Sequence, residues 1–135
     1  YPRRCARIVA ASTLNGDVAR GLLPDYSVYI PDQKNNGHDT SAAYADRWLE
    51  RTFAPLRKDP AFMKGLLLVV TYDEAGNDPA NHIYTALAGE SVRSGSVSTR
   101  PYNHYSLLRT VEDAFVLGTI GKNDALASSI TDVWK

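Results

Sequence analysis

The 135-residue sequence has no surplus of charge, since fifteen basic residues face fifteen acidic ones. A chain without a basic face is not built to grip a polyanion, so neither nucleic acid nor an anionic membrane surface is an expected partner. Long apolar runs are missing too. No stretch approaches the roughly 18–20 residues that cross a bilayer, and the opening Tyr1-Pro2-Arg3-Arg4-Cys5 lacks a signal-peptide core. The expectation is a chain that is soluble as given, with any targeting segment already removed and no transmembrane segment. Cys5 is the single cysteine, which excludes an internal disulfide and a cysteine metal site. An extracellular protein could pair it with a partner from elsewhere, so the redox compartment stays open. Internal repeats, low-complexity tracts and Asn-x-Ser/Thr sequons are also lacking. What is there suffices for one ordinary domain: 44% of the residues are hydrophobic, enough for a core.

The most informative stretch runs from Leu66 to Glu74, an apolar run of β-formers that ends in two adjacent carboxylates. A short continuous apolar run bounded by Gly65 and by Ala75-Gly76-Asn77-Asp78-Pro79 suits a central strand of a parallel α/β sheet, covered on both faces. Ligands of such sheets sit beyond the carboxyl ends of the strands, where Asp73 and Glu74 fall. Adjacent carboxylates repel each other unless a cation neutralises them, so the pair suggests divalent metal binding or acid/base work. The alternative is a pair of acids solvated in a turn. Because successive strand residues point to opposite faces, convergence of the two side chains requires the strand to break at Asp73.

Around that stretch the pattern alternates. Ala6 to Ala11 reads as a strand or an extended lead-in, and Asn15 to Arg20 as a brief helical turn closed by Gly21. Tyr26 to Ile30 reads as a strand ended by Pro31, emptying into the polar loop Asp32 to Asp39. Asp39 or Thr40 is expected to cap a helix whose core face carries Ala45, Trp48, Leu49, Phe53 and Leu56. An aromatic stripe at that spacing is core, so Trp48 and Phe53 receive no chemistry. Pro60 opens a short turn into the strand at Leu66, completing a right-handed βαβ unit. Asn81 to Gly89 reads as a further strand with His82 at its entrance, and Ser91 to Arg100 as an exposed loop. Asn103 or Ser106 then caps a helix with Leu107, Leu108, Val111, Phe115 and Leu117 inward, Glu112 and Asp113 outward, and Gly118 as its stop. A last short helix is expected between Lys122 and Lys135, with Val133 and Trp134 docked on the body.

His38, His82 and His104 are the three histidines, and all lie in polar stretches at element boundaries. A lone boundary histidine is usually a surface or capping residue; three beside an Asp-Glu pair suggest more. Carboxylates suit hard divalent ions, imidazoles suit zinc or iron, and a protonated imidazole can clamp an oxyanion. Together they supply what metal-assisted phosphoester cleavage needs, charge to neutralise the phosphate and donors to grip its oxygens. A Ser-His-Asp hydrolase is a weaker option, because no Gly-x-Ser-x-Gly elbow occurs.

Several segments, in order and spacing, resemble one family. They are Arg4-Cys5-Ala6-Arg7-Ile8-Val9, the Asp32 to Asp39 loop with Asn-Asn-Gly-His-Asp, Tyr44 to Leu49, Thr71-Tyr72-Asp73-Glu74, Asn81-His82-Ile83-Tyr84 and Asn103 to Glu112. The family is that of the phosphoesterases, the acid phosphatases and phosphatidylcholine-type phospholipases C of the alkaline-phosphatase-like superfamily, particularly its secreted fungal members. The resemblance covers Arg4 to Trp134. It implies an α/β fold, a three-layer α/β/α sandwich of which residues 1–135 are the carboxy-terminal part of a single domain. It also implies a phosphoester substrate, small molecule or phospholipid, a divalent metal cofactor and a secreted or extracellular location.

By the same resemblance Asp73 and Glu74 are metal ligands, and His38 contacts the scissile phosphate with Asn36 beside it. His82 and His104 match positions near the site that the family pattern does not divide between metal and substrate. The departure lies upstream, where the family carries a Glu-Asn metal element and a Ser or Thr nucleophile. Neither is recognisable here; Ser27, Thr40, Ser41 and Thr71 lack such a context. Two readings follow, a metal-dependent phosphoesterase seen in part, and a non-catalytic binding or interaction protein that keeps the fold. An unpaired strand edge would favour association with a missing amino-terminal half or another chain. A covalent step without its hydroxyl loses several orders of magnitude in rate. The 135-residue chain by itself is therefore expected to turn over a chromogenic phosphomonoester very poorly, with or without divalent metals, and robust turnover by a verified monomer would show the expectation wrong.

Overall fold

A computed structural model of the protein describes residues 2–135. The chain forms two compact units, Tyr1–Lys64 and Gly65–Lys135, and Tyr1, the first residue of the expected single domain, lies outside the described residues. Among the described residues no helix is long and apolar enough to cross a membrane.

The first unit is helical. Short helices α1 (Pro2–Cys5) and α2 (Leu14–Ala19) flank a 3-10 turn at Ala11–Thr13, so Ala6 to Ala11 does not form the strand that was one of its two expected states. Helix α2 ends where expected: Gly21 adopts φ +64°, a conformation that costs glycine nothing. Helix α3 (Ala42–Arg57) is capped by Ser41 rather than by Asp39 or Thr40, its hydroxyl accepting from the Tyr44 amide. Its inward face is the expected one, with Ala45 and Phe53 buried. Helix α4 (Pro60–Met63) follows, capped by Asp59.

Among the described residues Tyr26 to Ile30 joins no strand, which corrects the expectation of a βαβ unit. Its aromatic character serves packing on α3 instead. The Tyr29 ring lies 5.6 Å from Trp48 and 5.4 Å from Phe53, the latter edge-on, a geometry that aligns ring quadrupoles.

The second unit holds the sheet. Strands β1 (Leu67–Thr71) and β2 (Thr85–Gly89) pair antiparallel, Leu67 opposite Gly89 and Thr71 opposite Thr85. The expected central parallel strand is thus an antiparallel one, and its apolar residues are half-buried rather than covered on both faces. Here β2 is the next segment of chain and returns directly alongside; a parallel neighbour would need a crossover. At the end of β2, a Cβ on Gly89 would lie 2.4 Å from the Leu66 carbonyl oxygen, so only glycine fits that register.

Helix α5 (His104–Ala114) begins with a full capping box, Asn103 accepting from Tyr105 and Ser106 while the Ser106 hydroxyl returns to the Asn103 amide. Three expectations about this helix are corrected. Glu112 is buried, not outward, with one carboxylate oxygen lacking a hydrogen-bond partner. Ser106 is the other buried residue of α5, while Leu108 and Phe115, both expected inward, are exposed. The helix also stops before Gly118. Leu117 N–H bonds the Glu112 carbonyl and Val116 N–H that of Asp113, closing a Schellman turn with Val116 at φ +55°.

The tail is held by Asp132. Its carboxylate accepts from the Ser98 and Tyr102 hydroxyls at 2.6 and 2.9 Å, while its carbonyl accepts from Arg93. Val133 is buried and Trp134 pairs with Val92, the expected docking of the tail. The last helix is a 3-10 turn at Asn123–Leu126, anchored by the fully buried Asp124, which accepts from the Ile120 and Lys122 amides.

A β-branched residue in the left-handed region is strained by about 1–2 kcal/mol, and glycine relieves that strain. Replacing Val116, whose side chain is 90% exposed, by glycine is expected to stabilise the protein by about 1 kcal/mol after the backbone entropy of glycine is counted. Chemical denaturation of Val116→Gly checks this, and an unchanged or lower midpoint would contradict it.

Candidate functional site

The acid pair sits where the ladder stops. Thr71 and Thr85 close the last rung through their hydroxyls, 2.8 Å apart. Beyond them the chain leaves the strand direction at Tyr72 and bends at Asp73, the break that the sequence requires for both carboxylates to reach one side. Asp73 and Glu74 are exposed, and among the described residues neither carboxylate makes a hydrogen bond or ion pair.

The connection that carries them is wired by its own side chains. Asp78 accepts from the Ala80 amide at 3.0 Å and the His82 amide at 3.1 Å. Asn81, itself at φ +48°, accepts from the Ala75 amide at 2.8 Å. The Ala80 amide first, then that of His82, holds the Asp78 carboxyl below the usual carboxylate value. His82 is therefore positioned through its backbone, with its ring exposed. His104 does the reverse: its Nε2 lies 3.0 Å from the Asp73 carbonyl oxygen. A carbonyl only accepts, so the ring donates from Nε2, and α5 reaches back to the acid turn.

The first unit carries the other candidates on a loop of comparable construction. Asp32 accepts from the Lys34 and Asn35 amides at 3.0 Å each, and chiefly the Asn35 amide lowers its carboxyl below the ordinary value. Asn36 Oδ1 accepts from the His38 amide at 2.8 Å, which leaves the Asn36 Nδ2 group as its donor. His38 Nδ1 meets Asp39 Oδ1 at 2.9 Å, and since the carboxylate accepts, this nitrogen carries the proton. Gly37 lets the loop turn onto α3: its φ is +95°, and a Cβ there would lie 3.3 Å from the Ser41 carbonyl oxygen. Asp32, Gln33, Lys34 and Asp39 line a shallow, open depression on the loop.

Among the described residues no three His, Cys, Asp or Glu side chains gather closely enough to hold a metal ion. Asp73 and Glu74 nevertheless suit a hard divalent ion in type and charge. Magnesium-like ions take one or two carboxylates and fill their other positions with water and substrate oxygens.

Sequence reasoning singled out the acids and histidines but gave no role to Asp132, left Asp78 as part of a bounding turn, and put Asn81 at the start of a strand that begins only at Thr85. The Asp-Pro followed closely by Asn is a turn signature that could have marked the first two; no local signal marks Asp132.

The Phosphoesterase family model matches residues 3–118, and the chain belongs to that family. It is 32% identical to a probable acid phosphatase of Kluyveromyces lactis, over 93% of this chain and 31% of that protein. An acid phosphatase of Aspergillus niger is 30% identical over 93% of this chain and 31% of its own length. A phosphatidylinositol-3-phosphatase of Mycobacterium tuberculosis is 37% identical over 83% of this chain and 36% of its own. The chain thus spans about a third of the length of the curated relatives it matches. No solved structure matches it.

A carboxyl depressed by folding adds stability that is complete above the unfolded value, about 3.9, and is lost as pH falls through the lower folded value. The amide protons of Ala80 and His82 are therefore expected to shift together on acidification, with a midpoint below about 3.9. Asp78→Asn should abolish that shared titration; a midpoint at or above the ordinary value would contradict the wiring.

Proposed function

We propose that the protein hydrolyses phosphoesters as part of a longer, metal-dependent phosphoesterase. The observation that carries this reading is the uncommitted acid pair at the break of β1, lying inside the family match. Asp73 and Glu74 would hold a divalent ion, which when bound neutralises phosphate charge and polarises the phosphorus-oxygen bond. On the loop of the first unit, His38 and Asn36 carry an imidazole and an Nδ2 group of the kind that binds phosphate oxygens. His82 and His104 are assigned to the chemistry around the acid turn.

The names of the relatives support a phosphomonoester, free or on a lipid headgroup, as the substrate class. The attacking hydroxyl and the rest of the metal set belong, in this reading, to the remainder of the longer protein. So does completion of the sheet into an alkaline-phosphatase-like three-layer fold, supported by the family match rather than by the two-stranded sheet. An extracellular location is part of the same reading and rests on the resemblance to secreted members.

Titration of the chain with Mn2+, followed by paramagnetic broadening of amide signals, tests the acid pair. Broadening is expected to centre on residues 72–76 and to weaken by roughly tenfold in affinity in Asp73→Asn, since such sites scale with carboxylate charge. The fold should persist, because that carboxylate holds nothing else. Titration with vanadate should perturb the His38 imidazole signals. Metal binding elsewhere, or an anion that moves His82 or His104 but never His38, would defeat the respective assignment and favour a non-catalytic binding protein.

A further inference from the structure

We propose that His104 is a positioning residue, whose Nε2–H bond to the Asp73 carbonyl fixes the turn that presents Asp73 and Glu74. The inference rests on the metal-binding reading of that pair for its consequence, but not for its geometry.

The acid turn lacks other means of holding its first residue. The carboxylates of Asp73 and Glu74 are uncommitted, and the wiring by Asn81 and Asp78 begins only at Ala75. Between the last ladder rung at Thr71 and Ala75, the side-chain bond that reaches the turn from another element is that of His104, at 3.0 Å. A backbone carbonyl fixed in space sets the orientation of its peptide plane, here the one between Asp73 and Glu74, and with it the directions in which these two flanking side chains leave the chain. Adjacent residues of an undisturbed strand would send their carboxylates to opposite faces. The bond from His104 therefore acts at the point where the pair either converges or diverges.

The donor is itself held firmly. His104 is the first residue of α5, and the capping box of Asn103 and Ser106 fixes that end of the helix. The preceding residue pair is tied down from the tail, since the Tyr102 hydroxyl donates to Asp132 and accepts from the Thr131 amide. Thr110, further along α5, accepts from the Ile130 amide at 2.8 Å and so docks the same helix on the same tail. His104 thereby transmits a position set by buried residues to an exposed turn.

Glutamine tests this, because its amide nitrogen reaches about as far as Nε2 and donates likewise, whereas alanine cannot. Two readouts on the full 135-residue chain decide. In His104→Ala, hydrogen exchange at the Ala75 amide is expected to accelerate and Mn2+ affinity to fall by about tenfold or more, as when partners that orient ligands are removed. In His104→Gln both should return close to the original values. Equal loss in both variants would overturn the proposal, showing that the imidazole itself is the ligand; unchanged exchange in His104→Ala would overturn it as well. A chain that binds no Mn2+ while exchange at Ala75 follows the expected pattern would remove the metal reading and leave the positioning role supported.

Discussion

Everything distinctive in the second unit depends on where β1 stops. The hydroxyl pair of Thr71 and Thr85 closes the ladder, and His104 takes the next available carbonyl away from it. Had β2 continued its pairing through Tyr72 and Asp73, one carboxylate would point to each face, and a single cation could not serve both. The same constraint explains why the connection after Glu74 uses Asp78 and Asn81 as internal acceptors. A turn denied ladder bonds must satisfy its amides with side chains.

The loop of the first unit solves a similar problem with similar means. Asp32 and Asn36 accept from amides two or three positions ahead, whereas on the acid turn Asp78 accepts from amides two and four ahead and Asn81 from that of Ala75, six behind. Short acidic and amide side chains do this because their oxygens reach the local backbone without unfavourable rotamers. The carboxyls of Asp32 and Asp78 are consequently held below the ordinary carboxylate value, chiefly by the Asn35 and Ala80 amides.

Legibility in the sequence followed the range of the interactions. Helix α3 and its buried Ala45 and Phe53 were readable because 3.6-residue periodicity records a face directly. The acid pair, the break at Asp73 and the cap at Asn103 were readable for the same local reason. The sense of pairing of β1 was not, since an apolar run of five residues has the same pattern whichever direction its neighbour runs. Tyr26 to Ile30 had the composition of a strand, but β-propensity only describes a residue that fits a packed surface, and α3 supplied that surface. Glu112 was misjudged because charge argues for solvent, while α5 is docked on the tail by bonds from Thr110 to Ile130 and from Asp113 to Ser129 that no local pattern records.

The buried residues of α5 are the polar Ser106 and Glu112, while Leu108 is exposed, and this bears on how the helix can work. A helix seated by an apolar stripe can slide or rotate with modest penalty, because hydrophobic contact is non-directional. Helix α5 is seated instead by directed bonds: the Asn103 cap, Thr110 to Ile130, and Asp113 to Ser129. Directed bonds fix both rotation and rise. That is the property required of an element whose first residue must place one ring nitrogen within hydrogen-bonding distance of one carbonyl oxygen in a turn otherwise free to relax.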